Sequence, residues 1–442
     1  MDKRFANLFN LSEDEAIALL DTPGDQLGEQ DSRYIAAAHL VNFKTSKTIA
    51  ALIRAVQRTD PDLENRIVRR KAVETLGRLQ ATEAIPVIRA CLDEEDNYLI
   101  ENAVWAIGEI GKLDRIEPSL LAEVTQLLEK PGQTYRVIIH TLTSLNYELA
   151  LPAIRKFTAS EDLPTASAAL TSIYRFTGDH EPMQRVLSML QSDQVLARRL
   201  AIQDLVDARY YEAIAAIART PVSLVFRLRG IRLLAEMGMA EGKIDFEQQV
   251  APHLEQTLRD HPADLELVHE YDQPPDLAFL VRELYQTDFG RCYLALKTLL
   301  MEHAEVAPAA LFDTYEAEAK ADYGAHFHVI KLFGWLNHAP AYAMLQHNLH
   351  HPQPQFQKSR AAAAIALAEI AQGNEQVDKQ TVINELKSCL DTRIWDLKYA
   401  LLLALEQLGD SGEYARFSDD PDFLIRAKAQ AKLAPIHHQG DR

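Results

Sequence analysis

Apolar residues recur along most of the chain at the spacing of one helix face. In 91–111, Ile100, Ala103, Ile107 and Ile110 fall at i, i+3 and i+4 steps, the stripe of an amphipathic helix. The preceding TEAIPVIRACL is a shorter helical segment, with Pro86 in its opening turn, and DEEDN links the two. The pattern then repeats. RRKAVETLGRL (69–79) and ENAVWAIGEIG (101–111) align Ala72 with Ala103 and Gly77 with Gly108. The same register reaches AIQDLV at Ala201, IRLLAEMG at Ile231, ALKTLL at Ala295, VIKLFGWL at Val329, AIALAEI at Ala364 and ALLLALEQLG at Ala400. Steps of about 30–36 residues are the period of stacked helix pairs. One pair cannot bury its own face, so neighbours must stack. No region of strand period competes. The pattern predicts an all-α fold, a right-handed α-solenoid of HEAT-like helix pairs, running as a single array over 1–442.

Two segments break the period. Residues 240–290 are irregular, with Pro274 and Pro275 stopping a helix. Residues 302–326 read as an insertion, either part of a binding face or a plain linker. The tail 434–442 is expected to fray.

The second helix of each pair carries more than a core stripe. Tyr98, Glu101, Asn102, Trp105 and Glu109 share one side. Carried through the register, the position of Glu101 becomes Arg70, Arg136, Arg199, Arg229, Tyr293 and Phe327. The position of Asn102 becomes Lys71 and His328, and that of Trp105 becomes Glu74, His140, Gln203, Lys297 and Lys331. Second helices line the concave side of a HEAT array, so this predicts a wall rich in Arg, Lys and His. Such a wall suits an anionic, planar ligand, with guanidinium forks on carboxylates and aromatic faces on a ring system. The competing reading is a ladder of ion pairs between neighbouring helices, such as Arg70 with Glu101.

Composition sharpens this. The 442 residues hold 46 Lys+Arg against 64 Asp+Glu, a formal charge of −18. So acidic a chain is a poor general binder of nucleic acid or anionic membrane, which makes a basic face stand out. Gly (17) and Pro (19) are too few for a β-sandwich of many turns. No apolar run is long enough for membrane insertion, and the N-terminus has no signal-peptide core. Cys91, Cys292 and Cys389 are far apart and form no CxxC pair, which fits a reducing, cytoplasmic setting. They read as core residues, with Cys292 reactive only if exposed. His347, His350 and His351 have helical spacing for a metal, but run into PQPQFQ, and a solvated helix end is the simpler reading. No phosphate-loop, dinucleotide or esterase motif occurs, so no nucleotide or metal cofactor is implied.

RIVRRKAVETLGRL, YLIENAVWAIGEIG and YGAHFHVIKLFGWL resemble the HEAT-repeat phycobilin lyases of cyanobacteria, the E/F-type family. MDKRFANLFNLSEDEAIALLDTP and DSRYIAAAHLVNF are similar to its phycoerythrin α-subunit branch. The resemblance implies a lyase that attaches phycoerythrobilin through a thioether to a cysteine of a phycoerythrin α subunit, the partner protein. It allows an added isomerisation to phycourobilin, which requires proton removal at one carbon and return at another. On that reading Arg70, Arg136, Arg199 and Arg229 hold propionates, with His140, Asn102 and Lys331 beside them. Tyr98, Trp105 and Phe327 stack on pyrrole rings. Glu101 keeps the pyrrole nitrogens protonated, unless it is spent on Arg70. Tyr323, His326 and His328 are candidates for the proton transfers, although His328 also reads as a packed histidine; Asp313 and Tyr315 are weaker candidates. A non-catalytic HEAT scaffold or chaperone for phycobilisome assembly is the alternative.

Overall fold

A computed structural model describes residues 11–28, 31–351, 353 and 356–433. The first ten residues of the opening string and the tail 434–442 lie outside these. The described residues are helical, with short 3-10 turns and no strand. They form two compact units, Met1–Met183 and Gln184–Arg442.

In the first unit the successive second helices are Leu63–Arg78, Asn97–Ile110, Tyr135–Ser144 and Leu163–Thr177. Aspartates set several starts. Asp62 accepts from the Asn65 amide at 2.8 Å, Asp96 from Tyr98 and Leu99 at 3.1 and 3.3 Å, and Asp162 from Thr165 at 3.1 Å. Each satisfies amides that have no partner inside the helix. The recurrent glycine has a packing reason. A Cβ on Gly77 would stand 2.8 Å from the Ala106 Cα, so only glycine lets these two helices approach so closely. A Cβ on Gly108 would stand 3.1 Å from Thr141 Oγ1, a tight contact with a side chain. Ile100, Ala103, Ile107 and Ile110 are all buried. Thus the period read from the sequence is the period of the stack.

The second unit repeats the arrangement with Val195–Asp207, Leu224–Ala240, Phe289–Glu302, Tyr323–Trp335, Gln357–Gly373 and Trp395–Gln407. In the 240–290 region Asp245 caps a five-residue π turn, Phe246–Val250, which leads into the helix Ala251–Arg259. That helix ends on Asp260 in the left-handed conformation, φ 55°. An extended stretch follows before Leu277–Glu283. Within 302–326 lie the helix Ala307–Ala317 and a 3-10 turn, Ala319–Ala321.

A basic residue near the start of a second helix recurs as a clasp. Arg69 donates to the Val56 carbonyl, Arg198 to Ser192, Arg227 to Ala218 and Val222, and Arg360 to Leu349. Each ties a helix to the carbonyls that end the chain segment before it. Arg69 and Arg198 are buried, and their neighbours Arg70 and Arg199 are left facing outward from the same turn.

Candidate functional site

In the first unit, Arg70 is committed. Its Nε and Nη2 form a fork on the Asp96 carboxylate at 2.9 and 2.8 Å, and its guanidinium lies 4.8 Å from the centre of the Tyr98 ring. The acid it meets is the helix cap Asp96, and Glu101 instead accepts from Thr134 Oγ1 at 2.9 Å. The Arg70–Glu101 pair considered from sequence is therefore replaced. Asn102 donates to the Tyr98 carbonyl at 2.8 Å. Tyr98 itself is 64% exposed. Trp105 is half-buried against Gly77. Arg136 donates to the Pro164 carbonyl at 2.7 Å, and His140 is half-buried on the same helix.

In the second unit, Arg199 and Arg229 occupy the corresponding positions of two helices packed on each other, Val195–Asp207 and Leu224–Ala240. Arg199 donates once, from Nη2 to the Thr287 carbonyl at 3.1 Å, and its buried Nε has no hydrogen-bond partner among the described residues. Its guanidinium lies 5.0 Å from the centre of the Phe226 ring, which is 37% exposed. Arg229 is exposed, one helical turn beyond Phe226. Leu196 and Val225 are exposed on the same two helices. Two guanidiniums thus flank an exposed aromatic and aliphatic surface, on a protein of net charge −18.

Phe327, His328 and Lys331 sit deeper. They belong to a buried cluster gathered around Asp260. Arg227 donates to Asp260 Oδ1, Tyr293 OH lies 2.9 Å from both carboxylate oxygens, and Lys331 Nζ is 3.1 Å from Oδ2. Burial opposes the charge on Asp260, yet Arg227 and Lys331 overcome it and hold the carboxyl below its usual range. Phe327 and Tyr293 are fully buried, so this end of the register turns into core.

Next to that cluster lie groups without hydrogen-bond partners. His328 is fully buried, and neither ring nitrogen has a partner among the described residues. Burial and the nearby Lys358 push it down to about 3, so the ring is neutral. Lys358 is 5% exposed and its Nζ also lacks a hydrogen-bond partner. Three rings surround this ammonium: Tyr323 at 3.6 Å, Phe327 at 4.5 Å and Phe289 at 5.0 Å from Nζ to centroid. Tyr323 is 46% exposed and forms the outer wall. Leaving such a group unsatisfied costs about 1–3 kcal/mol, so the arrangement is selected against on stability alone.

His326, two residues before His328, faces elsewhere. Its Nδ1 lies 2.8 Å from Ser359 Oγ and its Nε2 2.9 Å from Asn348 Oδ1, and Asn348 in turn donates to Tyr315 OH. Burial lowers it to about 4. Asp313 is exposed on the helix of Tyr315. Cys292 is buried, and burial raises its thiol to about 12, which removes the reactive reading. His350 Nε2 is directed at Glu385 Oε1, 2.6 Å away, and His351 packs on Phe356.

Sequence reasoning missed Phe226, Asp260 and Lys358. Phe226 had a signal, since it lies three residues before Arg229 on one helix. Asp260 had none, because it ends a helix inside the aperiodic region. Lys358 reads as a solvated lysine in the first turn of its helix.

A model of HEAT repeats matches residues 24–108 and 62–136. The chain is 61% identical over 428 residues to the uncharacterized phycocyanin operon protein Y of Pseudanabaena tenuis, across 97% of this chain and 99% of that one. It is 32% identical over 423 residues to the bilin biosynthesis protein CpeY of a Synechococcus strain, across 92% and 99%. The phycocyanobilin lyase subunit alpha of a Nostoc strain is 27% identical over 230 residues, across 49% of this chain and 82% of the relative.

Proposed function

This chain belongs to the E/F-type family of HEAT-repeat phycobilin lyases, and from that premise we propose that it attaches phycoerythrobilin through a thioether to a cysteine of a phycoerythrin α subunit. The reading is carried by the Arg199–Phe226–Arg229 face, in a chain that parallels a bilin biosynthesis protein, CpeY, over nearly its whole length.

Phycoerythrobilin is an open-chain tetrapyrrole with two propionates and an ethylidene. Of the four arginines, Arg199 and Arg229 receive the carboxylates in this reading, because they flank Phe226, while Arg70 is held by Asp96 and Arg136 donates to the Pro164 carbonyl. Phe226 offers its face to a pyrrole ring. A bilin fixed there presents its ethylidene to the acceptor thiol. The sulfur bonds the ethylidene carbon and the thiol proton ends on the tetrapyrrole, so no oxidant or metal enters the balance. The chain's part is positioning, which converts an encounter of two flexible partners into an ordered one. Exposed Leu196 and Val225 give the helical partner subunit an apolar edge to rest on.

The product in this reading is unisomerised phycoerythrobilin. Isomerisation needs a base and an acid on the tetrapyrrole. His326 is spent on Ser359 and Asn348, and His328, at about 3, is too weak a base near neutral pH. Tyr323 alone does not supply both transfers.

The test is bilin binding followed by transfer. The wild-type chain binds phycoerythrobilin with a defined absorbance shift and passes it to a phycoerythrin α subunit. A chain that binds the subunit but no bilin would favour the scaffold reading.

A further inference from the structure

Lys358 and His328 are used neither by the fold nor by the bilin face described above. Both are more than nine-tenths buried, and three of their nitrogens, Lys358 Nζ and both ring nitrogens of His328, have no hydrogen-bond partner among the described residues. They come from the helices Tyr323–Trp335 and Gln357–Gly373, which pack on each other. The rings of Phe289 and Phe327 lie beside both groups.

The charge around them is unbalanced. Arg227 and Lys331 already share Asp260. Lys358 is a third basic group near them and makes no ion pair among the described residues. Glu369, which faces Lys331, is raised to about 7 by burial, so it supplies only part of a counter-charge. Asp260 favours the Lys358 ammonium most among the charges near it, and Asp322 adds to this from the start of the helix that carries His328, while Lys331 opposes it and Cys292, its thiol raised by burial, acts as a neutral group. The neutral ring of His328 keeps one N–H to donate. A buried lysine nitrogen and an imidazole N–H, both without a hydrogen-bond partner and both against the Phe289 and Phe327 rings, are donors of the kind that one carboxylate takes.

We propose that Lys358 and His328 form a carboxylate-binding site, entered past the exposed ring of Tyr323. Resting on the bilin reading above, the site takes one carboxylate arm of the ligand in the course of attachment. The carboxylate satisfies both donors and supplies the counter-charge that lets Lys358 take up a proton. Tyr323 moves aside or stacks on the ligand, since its ring now covers Nζ from 3.6 Å.

Burial lowers Lys358 to about 7, so near pH 8 most of the free protein carries it neutral. A bound carboxylate favours the ammonium, and binding therefore draws a proton from buffer. Isothermal titration of the full chain at pH 8, in two buffers of different ionisation enthalpy, reads this directly. Phycoerythrobilin, its dimethyl ester and sodium propionate are the three probes. The expected result is uptake of close to one proton per phycoerythrobilin or propionate, with none for the ester. In Lys358→Met the uptake disappears and affinity falls about tenfold, while Tm stays level or rises, because an unpaired buried amine has been removed. His328→Phe weakens propionate binding in the same direction. Equal uptake in Lys358→Met, or a large fall in its Tm without ligand, would overturn the proposal by making Lys358 a structural residue. The two readings separate cleanly. If wild type binds phycoerythrobilin with no proton uptake, the carboxylate site fails and the bilin reading stands. If phycoerythrobilin does not bind, the bilin reading fails, and propionate alone decides the site.

Discussion

The Arg199 guanidinium lies 5.0 Å from the centre of the Phe226 ring, joining two successive second helices at the surface. Arg229 stands one turn beyond Phe226 on the same helix. An arginine resting against an aromatic ring loses little further side-chain freedom when it then meets a carboxylate. This pairing turns a basic stripe into a surface with a preferred ligand shape.

Arg199→Ala and Arg229→Ala should each weaken phycoerythrobilin binding by about tenfold, the worth of one charge-assisted hydrogen bond. Tm should change little, because neither side chain holds the fold as Arg198 does. An absorbance titration of the bilin measures the first effect, and a thermal melt the second. Unchanged affinity in the double variant would remove the face from the site.

Asp260 is the keystone of a buried charge cluster. Asp260→Asn leaves Arg227 and Lys331 facing each other without a counter-charge. A loss of about 3–5 kcal/mol is expected from the second unit, read as a shift of its urea unfolding midpoint. A loss under about 1 kcal/mol would show that the cations find other partners.

The two buried histidines set an acid limit. Unfolded, each takes up a proton near its ordinary 6.5; folded, His326 does so only near 4 and His328 only near 3. The unfolded chain binds more protons throughout that window, so stability falls as pH drops below about 6.5. The slope is about 1.4 kcal/mol per pH unit for each histidine, until His326 titrates near 4. Urea midpoints between pH 7 and pH 4 measure it, and His328→Phe should remove one histidine's share. An unchanged slope in that variant would show that His328 is not held neutral.

Gly77→Ala should destabilise the first unit by about 1–3 kcal/mol, since its methyl would meet the Ala106 backbone and the Trp105 ring. Circular dichroism during thermal unfolding reports it. A neutral result would mean that these two helices separate at no cost.

Much of the fold was legible in the sequence, because a stacked array writes its contacts at a fixed period. Gly77, Gly108 and the stripe through Ile100 and Ile107 each repeat for one physical reason, the close approach of neighbouring second helices. The outward basic positions Arg199 and Arg229 were legible on the same register. Depth was not. Phe327 occupies the position of Glu101 yet is fully buried, since whether a register position reaches the surface depends on what packs over it. Nor could a local pattern separate Arg69 from Arg70, of which one clasps a carbonyl inside and the other meets Asp96 outside. Asp260 and Lys358 owe their roles to contacts between residues 31 to 71 positions apart, which no short motif records.

Lyase activity is read by co-expressing the chain with a phycoerythrin α subunit in cells that make phycoerythrobilin. The α subunit is then purified and its absorbance recorded under denaturing conditions. The expected product is a covalent chromophore at the phycoerythrobilin position, lost when the acceptor cysteine is replaced. A chromophore shifted to the blue, as the shorter conjugation of phycourobilin requires, would contradict the unisomerised product. An α subunit without covalent pigment would contradict the lyase assignment for that substrate.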